Sequence, residues 1–452
     1  MTEEVKKLKE ERTQIFHDVY DNKVPKRVPI NVSLSLNVIA EYAGIHGKEA
    51  LWHPEKLMDA ADELCRMIPS DICMMGFQIL SPSKYQTLGA NNMKVSNTGF
   101  MQHPNHVGML PEDYDAFIEN PYDCIVERIL PRNYAELEAP GRNLFAIAKA
   151  QKLNAQVAGQ NLSICAQLNE KYGYYTSTPG TGTGVYAPVD ILTDTLRSLS
   201  GMSMDIRRMP QKVMAAVEAV YPLNYRVGLP QRIDNYGSAF FPLHLATFIK
   251  EKDFVPLFWK PWLRQVTDYA SMGYHSGAFC EHDWMRYLDY LAELPVDTRL
   301  QFEQGDPKTI KEKLGRRFII SGLFPLSTLR VCTKQECIDR TKEFLDIMMP
   351  HGKFIFCFDK NPLVLGDVNL DNLAAVCETV RDYGVYDNPG EVAGEVFRKE
   401  DYQHSEVAPF TSKYYKTWEQ YLQENPNTPD SAKDMVMAAE DEMVKFVYGC
   451  CQ

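Results

Sequence analysis

The chain has 452 residues, 45% of them hydrophobic and 24% charged, with a formal net charge of −12. This composition can bury a large core and leaves an acidic surface, which excludes nonspecific nucleic-acid binding because phosphate contacts need clustered Lys and Arg. The charged opening MTEEVKKLKEERTQ has no apolar signal core, and no apolar run reaches membrane-span length, so a cytoplasmic protein without a membrane partner is expected.

In chain order, residues 1 to about 20 read as an amphipathic leader helix, and 27–32 as a short strand. Pro54 suits a first helical turn, and Leu57, Met58, Ala61, Leu64, Cys65 and Ile68 share one face, which predicts a helix over 54–68. Residues 71–79 read as a second strand. The stretch 85–190, rich in Asn, Tyr, Pro and Gly, reads as an insertion that carries substrate-covering loops. Pro210 opens a helix with Val213, Met214, Val217 and Val220 inward. Pro261 opens another that ends near Gly273. Strands are then expected over 276–280, 298–303, 317–320 and 353–358. Between them lie a helix over 284–294, a helix capped by Asp306 with Pro307 in its first turn and Gly315 past its end, and a helix from the Thr333/Glu336 capping box to about Met349. Asn369 caps a last repeat helix that ends at Gly384, and a further helix falls at 431–448.

Residues 261–384 therefore alternate helix and strand in units of roughly 25–35 residues, the size of a βα repeat. A closed barrel and an open doubly wound sheet compete. No GxGxxG follows a strand, which favours a (β/α)8 TIM barrel with its site at the C-terminal ends of the strands. The expected organisation is a leader helix over 1–25, a barrel over 26–384 with an insertion at 85–190, and a C-terminal helical extension over 385–452 that packs on the barrel or on a neighbouring subunit, so a homodimer stays open.

Eleven cysteines without a CxxC pair read as buried thiols or metal ligands, not as a disulfide framework. The first strand end is Cys280-Glu281-His282-Asp283. On a regular strand Cys280 and His282 would both face the barrel mouth, with Glu281 facing away, and could chelate one zinc ion. Cys357, Glu303 or water could complete the ligand set. Glu303 reads as a ligand or acid, or as a structural hydrogen-bond acceptor, and Asp359 is a further strand-end carboxylate. Gly180 to Gly184 resembles a phosphate cradle but lacks a following Lys-Ser or Lys-Thr, so a loop is expected. His103 and His106 read as surface or substrate-loop residues. Tyr172, Tyr174, Tyr175 and Tyr186 could wall an aromatic pocket, although core packing is the simpler reading. No GxSxG elbow supports a hydrolase.

Several stretches resemble the uroporphyrinogen-decarboxylase superfamily: Gly273-Tyr274-His275-Ser276-Gly277, the Cys280–His282 strand end, Gly322-Leu323-Phe324-Pro325, Tyr383-Gly384, Lys26-Arg27-Val28-Pro29-Ile30 and the stretch 199–210. The decarboxylase branch carries an Arg-rich signature where this chain has Asn31-Val32-Ser33-Leu34-Ser35. The corrinoid-linked methyltransferase branch holds zinc with a His-x-Cys strand end and a later Cys. Here the order is reversed, Cys280-x-His282, with Cys357 near the later position. The resemblance thus implies a zinc-dependent methyltransferase with Cys280, His282 and Cys357 as ligands and Glu303 and Asp359 as catalytic carboxylates. No DxHxxG segment is present, so the corrinoid (cobalamin) would be carried by a partner protein. The implied reaction is O-demethylation of a small methoxylated, aromatic substrate. A methylcobalamin:thiol methyltransferase is one alternative. A metal-free carboxy-lyase is another, for which Arg207, Arg208 and Arg232 are candidate carboxylate-binding residues.

Overall fold

A computed structural model describes residues 1–76, 80–104 and 106–451. Five strands form one parallel sheet in chain order: β1 (Thr183–Gly184), β2 (Ser238–Leu243), β3 (His275–Asp283), β4 (Arg299–Gln304) and β5 (Ile319–Gly322). Parallel neighbours need crossover connections, and helices supply most of them. The main helices are α1 (Glu3–Tyr20), α2 (Met58–Met67), α3 (Asn143–Tyr172), α4 (Pro210–Val227), α5 (Lys260–Ser271), α6 (Pro307–Leu314), α7 (Lys334–Met348), α8 (Leu370–Tyr383) and α9 (Lys433–Gly449). Helix α4 joins β1 to β2, α5 leads into β3, and α6 joins β4 to β5. The chain is thus mixed α/β.

Parallel pairing continues beyond β5. Ile320 bridges Phe354 and Phe324 bridges Phe358, Ile30 bridges Phe356, and Leu34 bridges Met75. On the far side of that series the Tyr175 amide donates to the Asp71 carbonyl at 2.9 Å, a few residues before β1.

The two faces of the sheet differ in chemistry. Ala239, Phe241 and Leu243 of β2, Ala278 and Cys280 of β3, Leu300 and Phe302 of β4 and Ile320 of β5 belong to the main apolar core. Phe241 packs edge-on against Trp262 of α5, so this face meets the helices. A Cβ built on Gly277 would lie 3.6 Å from Arg299 Cβ and from Ser238 Oγ, which puts Ser238, Gly277 and Arg299 on the other face. Alternation then carries Phe240, Phe279, Glu281, Gln301 and Glu303 to that face as well. None of these five is fully buried, and Phe240 is 43% exposed.

Helix α1 closes the N-terminal ends of the strands. Ile15, Phe16 and Val19 form a separate apolar cluster with Tyr175, Ile319 and Ile355. His17 stacks on Tyr236 at 3.5 Å, and the Arg299 guanidinium lies 3.9 Å over the Tyr20 ring. The C-terminal extension folds back on the same body: Tyr448 donates to Asn224 Oδ1 at 2.8 Å, Tyr134 donates to the Cys450 carbonyl at 2.6 Å, and Cys450 and Cys451 are buried.

The caps follow the sequence expectation. Asp306 accepts the Thr309 amide, Thr333 and Glu336 form a capping box, and Asn369 caps α8. Other elements differ. Residues 284–294 hold two short turns of helix instead of one helix. The expected strand over 71–79 makes one bridge at Met75, and its last three residues lie outside the described ones. The 85–190 stretch contains α3, 30 residues long, whose buried face is Ala146, Ala150, Val157, Asn161, Ile164 and Leu168. Small and polar residues on that face give little apolar periodicity to read. Strand β2, with Pro242 inside it, has no counterpart among the expected strands.

Candidate functional site

The expected zinc ligands do not come together. Cys280 is fully buried on the helix-facing side of β3, and burial pushes its thiol far up. His282 sits where the β3–β4 register shifts between Cys280 and Asp283, and its φ is +63°, in the left-handed region. The bulge breaks the two-residue alternation on which the Cys-x-His reading depends. The His282 ring instead meets the exposed Phe248 edge-on at 5.0 Å and lines a surface cleft with Arg286 and Gln304. Cys357 alternates with the core residues Phe356 and Phe358 and so points to the opposite side from Cys280. Burial lifts the Cys357 thiol to about 11, which keeps it protonated at neutral pH.

Glu303 and Asp359 are held by backbone groups. Glu303 Oε2 accepts the His282 amide at 2.8 Å, which secures the bulge, and Lys360 Nζ lies 3.4 Å from Oε1. Asp359 Oδ1 accepts the amides of Leu326 at 2.9 Å and Lys360 at 2.8 Å, and burial raises its pKa. These contacts give both carboxylates structural work. Arg207, Arg208 and Arg232 are exposed, and Arg232 donates to the Pro179 carbonyl.

A different cluster stands at the C-terminal ends of β2 and β3. His244 directly follows β2, and its Nδ1 lies 2.6 Å from Glu281 Oε2 on β3. Its Nε2 faces Asp194 Oδ2 at 3.6 Å. Asp190 is fully buried and accepts the amides of His244 at 3.2 Å and Leu245 at 3.0 Å, which fixes the chain as it leaves β2. Pro188 starts the short helix that carries Asp190 and leads into the helical segment Ile191–Arg197 with Asp194. Glu281, expected to face away from the mouth, is the β3 residue that reaches it.

The electrostatics of the cluster are strongly perturbed. Burial disfavours the imidazolium, but the Glu281 hydrogen bond and the charges of Asp194 and Asp190 outweigh it and lift His244 to about 9. Burial, reinforced by the Asp190 charge, raises Asp194 well above the carboxylate range. The hydrogen bond from His244 holds Glu281 below its ordinary value. Asp194 Oδ2 is buried and accepts no hydrogen bond, its facing group being His244 Nε2 at 3.6 Å.

A cavity of about 400 Å³ opens onto Asp194 and His244, lined also by His103, His106, Tyr186 and Cys451. His106 Nε2 is buried there without a hydrogen-bond partner. The HxxH pair thus lines a cavity. A second cavity of about 460 Å³ runs along the polar face of the sheet, lined by Asn31, Ser33, Cys73, Tyr175, Ser238 and Arg299 among others. Of the four tyrosines, Tyr175 and Tyr186 reach cavities, while Tyr172 and Tyr174 pack around α2 and α3.

Sequence reasoning missed His244, Asp190 and Asp194. The available signal was a His at the end of an aromatic pair of the kind strands favour, Phe240-Phe241. Pro242 hid that strand. Among the described residues no three His, Cys, Asp or Glu side chains converge on one metal-sized point as they stand, and no helix is long and apolar enough to cross a membrane. No protein-family model matches the chain, and no curated protein is significantly similar to it.

Proposed function

We propose that the chain is a closed (β/α)8 barrel of the uroporphyrinogen-decarboxylase type and a zinc-dependent methyltransferase that demethylates a small methoxylated substrate in favour of a corrinoid protein. Eight segments support the closure: the five strands and residues 354–358, 28–34 and 71–75, linked by parallel bridges and by the Tyr175–Asp71 hydrogen bond. Barrels of this kind keep their chemistry at the C-terminal ends of strands. The observation that carries the functional reading is the His244–Glu281–Asp194 cluster at two such ends, open to a cavity.

These residues fit a divalent cation better than the Cys280–His282–Cys357 set does. They supply an imidazole and a carboxylate, donors that zinc accepts, with a second carboxylate behind the ring. The Asp194 oxygen, without a hydrogen bond and 3.6 Å from His244 Nε2, and the protons retained on His244 and Asp194 are what crowded ligands do in a cation's place. His244 Nε2 and Asp194 would hold the ion, and Glu281 would orient the imidazole through Nδ1 as an outer carboxylate. Zinc bound there supplies Lewis acidity to an ether oxygen, whose departure as an alkoxide or phenolate is otherwise the difficult part of demethylation. Asp190 keeps the backbone of His244 in place. A corrinoid carried by a partner protein would meet the substrate at the open strand ends.

Metal analysis combined with a methyl-transfer assay tests this reading. The purified chain is expected to hold about one zinc. His244→Ala and Asp194→Ala should lose the metal and the transfer of methyl groups from methoxybenzenes to a reduced corrinoid protein. Cys280→Ser and His282→Ala should keep both. A zinc-free chain with full activity, or zinc lost on Cys280→Ser and kept on His244→Ala, refutes the assignment.

A further inference from the structure

Arg299 is a half-buried cation without a counter-ion. It opens β4, and its side chain crosses to the start of β2. There Nη1 donates to the Tyr236 carbonyl at 2.8 Å and to Ser238 Oγ at 3.3 Å, and Nη2 donates to the Asn235 carbonyl at 3.1 Å. One face covers the Tyr20 ring, and Nε is buried without an acceptor. Among the described residues the guanidinium thus meets neutral groups and forms no ion pair. The carboxylates in its neighbourhood are engaged elsewhere. Asp297 holds the Lys353 ammonium. Asp234 Oδ1 accepts the amides of Tyr236 at 2.9 Å and Gly237 at 2.7 Å. Asp21 accepts from Asn235 Nδ2 at 2.6 Å and from the Tyr236 hydroxyl at 3.5 Å. Burial, then the Arg299 charge, holds the neighbouring His275 down at about 3, so that ring adds no second charge. A charge partly withdrawn from water ordinarily has an opposite charge beside it.

Arg299 stands in the wall of the cavity of about 460 Å³. No Asp or Glu lines that cavity among the described residues. Its other polar groups can donate. The Tyr175 hydroxyl is buried and faces Tyr20 without closing a hydrogen bond, and Asn31 and Ser33 reach the cavity from the segment 28–34. Ile72, Met75 and the tyrosine rings give the wall an apolar part. A pocket of this size and make-up, mostly apolar with a few convergent donors, suits a small organic molecule.

We propose that this cavity binds a small aromatic carboxylate, with Arg299 as its counter-ion and the ring lodged among the tyrosines. A carboxylate supplies the charge that the guanidinium lacks and acceptors for the hydroxyls around it, and charge-assisted hydrogen bonds of this kind are the strong ones. The site lies toward the N-terminal ends of β2 and β4. Ser238 and His244 are six residues apart along extended chain, about 20 Å, so this site is separate from the His244 cluster and does not rest on the metal reading. Tyr20 belongs to α1, so a bound ligand ties that helix to the sheet.

Calorimetric titration of the full-length protein with benzoate tests the assignment, with thermal unfolding as a second readout. Saturable binding of about one benzoate per chain is expected, with a rise in Tm as a ligand of the folded state requires. Benzamide, of the same shape but uncharged, should bind about tenfold more weakly or less tightly still. Arg299→Gln should weaken benzoate binding by about 10–100-fold. Ser33→Phe fills the cavity from the segment 28–34, leaves Arg299 in place and should abolish binding, so it decides the matter if Arg299→Gln fails to fold. His244→Ala should bind benzoate as the wild type does. The proposal is overturned if millimolar benzoate shows no saturable binding, if benzamide binds as tightly as benzoate, if Ser33→Phe keeps wild-type affinity, or if inorganic phosphate binds more tightly than benzoate.

Discussion

Replacing Asp71 with Asn tests how the first segments of the chain are held to the sheet. Arg27 Nη1 and Nη2 each donate to an Asp71 oxygen at 2.7 Å, and the Ile30 amide donates at 2.8 Å. Arg12 Nε, from α1, adds a contact at 3.3 Å. The side chains of Arg12, Arg27 and Asp71 are 11%, 10% and 3% exposed, so water cannot replace a lost partner freely. Asn keeps the shape and can still accept the Ile30 amide, but it carries no charge and cannot answer both guanidinium donors. Removing one member of a buried ion pair costs about 3–5 kcal/mol, because the other is left charged and uncompensated. The retained amide contact recovers about 1 kcal/mol. Asp71→Asn is therefore expected to lose about 3 kcal/mol, read as a lower urea midpoint at unchanged slope in tryptophan fluorescence. A variant within about 1 kcal/mol of the wild type would mean that the guanidinium groups find water or other acceptors, and would refute the reasoning.

Two further predictions concern titration. In metal-free protein the His244 ring should titrate near 9 by NMR, and Glu281→Gln should move it toward the ordinary 6.5. Because the folded value is raised, the contribution of His244 to stability is complete below about 6.5 and disappears as the pH rises through about 9; an unmoved midpoint in the variant would count against the Glu281 contact. Lys311, whose Nζ donates to the Gly352 carbonyl at 2.6 Å, is pushed from 10.5 down to about 7 by burial and then by the Lys353 charge. The unfolded chain binds the extra proton between those values, so wild-type stability should climb from pH 7 toward 10, whereas below 7 the full cost of the buried ammonium applies. Lys311→Met should remove that slope and be the more stable protein at pH 7, by about 3 kcal/mol after the lost hydrogen bond is subtracted; parallel pH curves for the two proteins would contradict it.

Local signals were legible wherever a local cause decides the outcome. The caps at Asp306, Thr333 and Asn369 satisfy helix-end amides within three residues, so their side chains announce themselves. The strands near 276–280 and 298–303 were readable from apolar residues between turn signals, and the leader helix from its charged, amphipathic pattern. Helix α3 was not, because Ala146, Ala150 and Asn161 interrupt the apolar residues on its buried face. Strand β2 was hidden by Pro242, which sits at a half-buried position inside it.

The candidate site followed the same division. Chain composition and the βα alternation pointed to strand ends as the place for chemistry, and that much needs only the twofold and 3.6-fold periods of the backbone. Which side chains meet there is a matter of tertiary structure. One positive φ at His282 shifts the β3–β4 register, and the parity of a single strand decides that Glu281, not Cys280, reaches the mouth. Asp190, Asp194, His244 and Glu281 span 92 positions of sequence, and no spacing rule joins them. Only the fold sets the 2.6 Å contact between His244 and Glu281, because packing and strand register determine distances that sequence order leaves free.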